Sequence, residues 1–483
     1  MNRASAAMVK GIMRFGPSIL PFADAATAEL PMSRLIRLSL FQVTVGMAAV
    51  LLIGTLNRVM IVELAVPSWI VALMLALPLL FAPFRALVGF RSDTHRSVLG
   101  WKRVPFIWLG TMLQFGGLAI MPFALLILSG DTTGPLWIGQ AAAALAFLLV
   151  GAGLHTVQTV GLALATDLAP ERVRPRVVAL LCASLLAGMA VSALLYGLAL
   201  AHFSEVRLIQ VVQGSAVVTI VLNGIALWRQ EPRSAAIKPT DAPRAQFRDA
   251  WAAFAGLGRA RRRLIATALG TAGFSMQDIL LEPYGGKILH LPVGATTAFT
   301  AMLAVGGAIG LTIAARRLSG GSDPHRVAGI GAVVGVFAFA AVIFAAPSGA
   351  PALFGIGVFL IGLGGGLFAH GTLTASMATA RPEDRGLALG AWGAAQATAA
   401  GLAIAFSGLA NDLVASLAVQ GTFGEVVAAP VTGYAFVYTT EIVLLFATLV
   451  ALGPLVRPSR QVVATSSRGF ELSSPSVQIS GVL

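Results

Sequence analysis

A polytopic α-helical membrane protein, with twelve spans in two six-helix halves, is the fold this sequence predicts. Three observations carry the prediction. Of the 483 residues, 57% are hydrophobic and 11% are charged, whereas a soluble globular chain carries about 25% charged residues. Mean hydropathy is +0.85, and the apolar residues gather into segments that can each cross a bilayer at about 20 residues per span. The segments divide six and six around one long basic stretch. This balance excludes a soluble enzyme of this length, a disordered chain and a coiled coil. Glycine is abundant at 53 residues, as in packed transmembrane helices whose small residues let backbones approach. The single cysteine, Cys182, excludes a disulfide framework and a cysteine-based zinc or iron–sulfur site.

Residues 1–34 read as a cytoplasmic N-terminal segment. Met8, Val9, Ile12, Met13 and Phe15 share one helical arc opposite Lys10 and Arg14, the pattern of an interfacial helix. Ala23-Asp24-Ala25 mimics a signal cleavage site, but Arg14, Gly16, Pro17 and Pro21 stand where an apolar signal core is needed. The first six spans, 35–57, 67–90, 104–128, 137–165, 178–200 and 208–228, make an N-terminal half over 35–228. A basic central loop, 229–263, follows with Pro232, Pro239 and Pro243. Within it Phe247, Trp251 and Phe254 recur at helical spacing, predicting a second interfacial helix before Arg261, Arg262 and Arg263. Spans 264–283, 294–315, 327–345, 351–379, 387–410 and 433–456 make the C-terminal half, 264–456, and a Ser-rich tail, 457–483, is expected to be disordered. Trp69, Trp101, Trp137 and Trp228 near span ends read as interface anchors.

The net charge of +13 raises the question of nucleic acid, and the placement of the 33 Lys and Arg residues answers it. Thirty fall on the side of both termini and three on the other. That asymmetry predicts both termini in the cytoplasm and a multi-pass location in an inner membrane. The basic residues record topology and contact with anionic membrane lipid, not a nucleic-acid surface.

The halves echo each other. Asp93-Thr94-His95-Arg96 after span two matches Asp323-Pro324-His325-Arg326 after span eight, and Pro170-Glu171-Arg172 after span four matches Pro382-Glu383 and Arg385 after span ten. Repeats at corresponding loops of two six-span halves describe the major facilitator architecture, its halves related by an axis along the membrane normal.

No nucleotide-binding loop, zinc-protease helix, nucleophile elbow or paired-cysteine motif occurs, so no catalytic constellation is expected. Polar groups at membrane depth are the candidates instead, because each is costly there. His155 in span four and His370 in span ten lie fifteen and twelve residues upstream of their Pro-Glu landmarks. A neutral imidazole can serve as an axial ligand, for example to the magnesium of a chlorin; each histidine could equally bridge two helices by a hydrogen bond. Asp278 and Glu282, four apart on span seven, are expected on one face. They read as a proton site, a metal ligand or partners of Lys287, or else as solvated acids at a cavity mouth. Glu441 lies inside span twelve and is the strongest functional candidate among the acids. Arg58, with Asn57 and Glu63, reads as a structural ion pair. Gly306/Gly310, Gly331/Gly335 and Gly362/Gly366 read as close-packing sites, and Gln42, Gln114, Gln158 and Gln396 as interhelical hydrogen-bonding groups.

Several blocks resemble one family. Pro21-Phe22-Ala23-Asp24-Ala25-Ala26-Thr27, Leu35 to Gln42, Leu56-Asn57-Arg58-Val59-Met60 and Gly100-Trp101-Lys102-Arg103-Val104-Pro105 are similar to the PucC/LhaA proteins of phototrophic purple bacteria. So are Gln277 to Gly286, Thr166-Asp167-Leu168-Ala169-Pro170-Glu171 and Ala380 to Gly386, and the resemblance spans roughly 17–456. That family is a bacteriochlorophyll delivery branch of the major facilitators, implicated in assembling light-harvesting complexes. The pattern is closer to LhaA, linked to the core antenna, than to PucC, linked to the peripheral one. In ordinary facilitators the loop after span two carries a fixed Gly, Asp and basic pattern. Gly89 and Asp93 fit it, whereas Gly100, Lys102 and Arg103 fall about four residues late, which puts an ordinary rocking cycle in doubt; Asp93 and Arg96 are expected to pin the helix ends, with Asp167, Arg172 and Arg385 in the related motifs.

The resemblance implies an assembly factor that binds bacteriochlorophyll, with carotenoid as a further ligand, and serves antenna polypeptides and the reaction-centre core complex. Contact with pigment-synthesis enzymes would follow from the basic loop. His155, His370 and Glu441 are the expected pigment contacts, with Asp278 and Glu282 second. Two alternatives stand beside it: a proton-coupled transporter of a small metabolite using Glu441 and Asp278, and a pigment-free chaperone for antenna helices.

Overall fold

In the computed structural model the described residues are 25–27, 30–80, 88, 91–92, 100–130, 134–170, 173–231, 260–379, 385–422, 424 and 429–456. The expected interfacial helices, the tail, and Gly89, Asp93, Arg96 and Arg172 lie outside them. Among the described residues the chain forms twelve helices in the expected order. They are α1 (Met32–Val62), α2 (Ser68–Leu80), α3 (Val104–Leu128), α4 (Leu136–Leu168), α5 (Arg174–Ala199) and α6 (Glu205–Leu227) in the first half. The second half holds α7 (Ala260–Lys287), α8 (Val293–Ser319), α9 (Pro324–Ala345), α10 (Pro351–Thr379), α11 (Arg385–Val419) and α12 (Val431–Leu452). Eleven are long and apolar enough to cross a membrane, and the described part of α2 is apolar but shorter. The protein is a multi-pass membrane protein.

Local chemistry sets the boundaries. Asp323 caps α9 by accepting the His325 N–H at 2.7 Å, with Pro324 in the first turn, where a missing N–H costs nothing. Ser204 caps α6 through the Arg207 N–H. Within the halves glycine permits backbone contact: Gly306 and Gly310 of α8 sit against the carbonyls of Phe359 and Leu363 on α10, and Gly362 and Gly366 answer against Leu303 and Gly307. A methyl group at any of these would meet main chain. Two of the three expected small-residue pairs therefore form the α8–α10 interface, while Gly331 of the third sits against the Gly364 carbonyl and joins α9 to α10.

Two of the four expected glutamine ties are not made. Gln42 Oε1 and both amide atoms of Gln114 are buried without a hydrogen-bond partner among the described residues. The interhelical bridge is made by shorter side chains, which reach a neighbouring helix without folding back. Thr44 donates to Asn223 at 2.8 Å and Asn223 donates to Thr111 at 2.9 Å, linking α1, α6 and α3.

On the face where α1 begins and α12 ends (the terminal face), the late-falling Arg103 holds the first half together. Its guanidinium reaches Asp167 at 3.0 Å and Ser92 at 2.7 Å. Glu231 accepts from the backbone N–H groups of Lys102, Arg103 and Val104, which satisfies the open N-terminus of α3. Arg385 begins α11.

The halves are tied together at the opposite face. Asp412 of α11 accepts the Trp69 N–H of α2 at 2.9 Å, and Gly197 of α5 meets Gly294 of α8, each against the other's carbonyl.

Candidate functional site

The centre of the molecule is a break in α7. Its first segment, Ala260–Ser275, gives way to a 3-10 turn, Met276–Ile279, and resumes as Leu281–Lys287. Pro283 has no N–H to offer the carbonyl four residues back, so Ile279 O is left open. Asn57 of α1 fills the gap: its amide donates to Ile279 O at 2.9 Å and to Asp278 O at 3.3 Å. Beside it Arg58 pairs with Glu63 at 2.5 Å and donates to Leu291 O at 3.2 Å. The expected structural ion pair is thus also a link between the halves.

Glu441 of α12 approaches the same break from the other side. It is fully buried, and its Oε1 accepts the Gln277 N–H at 2.7 Å. Its Oε2 and the hydroxyl of Tyr438, three residues earlier on the same face, have no hydrogen-bond partner among the described residues. The Asp278 carboxylate accepts from the Gln277 side chain and lies within electrostatic range of Glu441.

Asp278 and Glu282 do not share a face, because Asp278 sits in the 3-10 turn and Glu282 in the α-helical segment after it, so the two are out of α-helical register. Glu282 is not a solvated acid at a cavity mouth. It is 4% exposed, accepts from Thr300 of α8, and lies against the bare Cα of Gly54 in a π-helical stretch of α1, Val50–Leu56. Its electrostatic neighbour is Arg58, while Lys287 interacts with Asp412. Beyond Glu282, Tyr284 stands in a ring of aromatics. Its centroid is 5.4 Å from Phe354 and Tyr434 and 5.6 Å from Tyr438.

Towards the terminal face the halves separate around a cavity of about 390 Å³, within the usual range for small-molecule sites. Its walls come from α5, α7, α8 and α10 and are almost wholly apolar. Gln277 supplies the one amide and Cys182 the one thiol, while Gly307, Gly362, Gly365 and Gly366 make a flat side. No charged side chain lines it. His155 is half-buried on α4 and His370 half-buried on α10, one position beyond the lining residue Ala369, and neither lines this cavity. Among the described residues no group of three His, Cys, Asp or Glu side chains could hold a metal ion.

The sequence reading missed Gly54, Thr300 and the backbone of Gln277. Pro283 four residues after Ile279 was the available signal for the break.

A family model described as PUCC protein matches residues 55–460. An uncharacterized protein in the puhA–bchM intergenic region of Rhodobacter capsulatus is 55% identical over 441 residues, covering 91% of this chain and 92% of that one. Protein PucC of Rhodovulum sulfidophilum is 56% identical over 420 residues, covering 86% and 92%. Among solved structures, a bacterial homologue of the human lysosomal transporter Spinster, crystallised inward-facing and unoccupied, superposes with a TM-score of 0.65 at 13% identity. That match covers 87% of this chain and 95% of the other. The likeness is one of fold, and it places the twelve helices in the major facilitator architecture.

Proposed function

The chain belongs to the PUCC protein family, and from that premise we propose that it is an assembly factor for the photosynthetic light-harvesting antenna, binding bacteriochlorophyll and passing it to antenna polypeptides. The core antenna around the reaction centre is the favoured destination, with carotenoid a second cargo and pigment-synthesis enzymes as neighbours. The protein does this as a carrier, without catalysis.

The observation that carries the reading is the uncharged, glycine-walled cavity between the halves of a chain of this family. An ionised headgroup would lose its hydration there without gaining a partner, whereas a flat apolar ring or a hydrocarbon tail loses nothing. The fit is to the hydrocarbon part of the pigment. A bound pigment brings a magnesium ion that takes one axial ligand, and His155 and His370 do not supply it from the cavity wall. Binding therefore rests on apolar contact and not on the two histidines.

The test is purification in mild detergent from a phototrophic host, stripping of antenna and reaction-centre polypeptides, and measurement of the absorption spectrum with extracted pigment. Stoichiometric bacteriochlorophyll on the stripped protein is expected. A colourless protein that still captures antenna polypeptides would mean a pigment-free chaperone.

One observation favours a second reading. Glu441 is a fully buried acid beside a broken helix in a facilitator fold, the setting in which transporters handle protons. A proton-coupled transporter would show uncoupler-sensitive flux in reconstituted vesicles.

A further inference from the structure

Two apolar cavities lie back to back across the seam between α5 and α8. One is the cavity between the halves. The other, about 400 Å³, opens on the outer side of the same two helices, beside Val305, Ile309 and Ile313, which are 45%, 41% and 39% exposed. At this depth that surface faces lipid. Leu186 and Ala304 line both cavities, so the two cavities share part of one wall. The seam is closed at the far face by the Gly197–Gly294 contact. Towards the terminal face α5 presents the short side chains of Ala183 and Ala187 to the outer cavity. The inner cavity has no charged lining residue, and the outer one has a single charge, Arg316, at its terminal-face end.

From this geometry we propose that the seam between the fifth and eighth helices is a side opening through which the pigment enters tail first from the membrane. The hydrocarbon tail lies in the inner cavity, the uncharged macrocycle stays in the lipid-facing groove, and Arg316 donates to a carbonyl oxygen on the macrocycle. The inference rests on the pigment-carrier reading. It commits to a single-tailed, uncharged guest for two reasons. The inner cavity of about 390 Å³ is apolar and takes the one hydrocarbon chain of the pigment, where a phospholipid would bring two. A guest whose ring remains at the membrane surface is also reachable by a single-span helix, so nothing has to cross the bilayer.

Cys182, the one cysteine of the chain, lines the inner cavity and reports its occupancy. The full chain in lipid nanodiscs is labelled with N-ethylmaleimide in the presence of bacteriochlorophyll a, or of the same pigment with its tail removed. At about ten times its Kd, the tailed pigment should slow labelling about tenfold. The tail-less one should change it less than about twofold, because its ring does not reach Cys182. Ala187→Trp, at an exposed position on the outer side, should restore fast labelling with tailed pigment present, and Ala308→Trp on α8 repeats the test from the other wall.

Equal protection by both pigments, or none lost in either tryptophan variant, overturns the side opening while bound pigment in the absorption spectrum leaves the carrier reading standing. Slow labelling in nanodiscs without pigment that becomes fast in detergent assigns the seam to lipid and overturns the pigment as its occupant. A protein that binds no pigment of either kind overturns the carrier reading, and this inference with it.

Discussion

Glu441 separates two roles that a buried acid can have, and one pair of variants decides between them. Its Oε1 accepts the Gln277 N–H at 2.7 Å, where α7 leaves α-helical geometry. Glu441→Gln keeps an acceptor oxygen at that position, while Glu441→Leu removes it and keeps most of the volume. Without the acceptor, a buried N–H is left unsatisfied at a cost of about 1–3 kcal/mol. For a cooperative unit the size of one six-helix half, each kcal/mol moves the midpoint by about 2–4 °C. Glu441→Leu should therefore lower the melting midpoint in detergent by roughly 2–12 °C, and Glu441→Gln should stay within about 2 °C of the parent. Pigment content is measured on the same samples. If Glu441 acts only through this hydrogen bond, the glutamine variant also keeps its pigment. A glutamine variant as unstable as the leucine one would refute the capping argument. A stable glutamine variant with no function would move Glu441 to a proton-handling role and favour the transporter reading.

Four further outcomes follow from the same geometry. Gly54→Ala places a methyl group against the Glu282 carboxylate and should cost about 1–3 kcal/mol; Glu282→Ala should recover part of that loss in a double-mutant cycle of melting midpoints. Asn57→Ala uncovers the Ile279 carbonyl that Pro283 cannot serve, at about 1–3 kcal/mol, and trypsin should then cleave the link between the halves faster. Asp167→Ala leaves the buried Arg103 guanidinium without its carboxylate and should cost about 1–3 kcal/mol; Glu231→Ala removes the acceptor for three backbone N–H groups and should cost at least as much in the same thermal assay. The His155→Ala/His370→Ala double variant should retain its pigment-to-protein ratio after stripping, since neither side chain lines the cavity; loss of pigment would restore a histidine ligand.

Much of the architecture was legible because membrane helices are written in one variable. Residues 104–128 and 351–379 were bounded by hydropathy alone, and the structure has α3 and α10 over those ranges. The Gly306/Gly310 and Gly362/Gly366 spacings marked two helix faces, although nothing in the spacing said that they face each other. The candidate site was legible only in part. Glu441 stood out because an acid inside a span is costly. That it caps a broken helix depends on Gln277, 164 residues away in sequence.

What the sequence by itself determined is the spans, their alternation, the two halves and the family, because these follow from local composition and from blocks of consecutive residues. Tertiary structure alone decided the rest. It placed Asn57 on the carbonyls of α7, set Gly54 against Glu282, turned Asp278 and Glu282 apart, and assigned Arg103 rather than a nearer basic residue to Asp167. It also left both histidines off the cavity wall. The physical reason is the same in each case. A polar group inside a membrane protein must find its partner across helices, and which helix comes within 3 Å is set by packing of small residues over the whole bundle, which no local window of sequence contains.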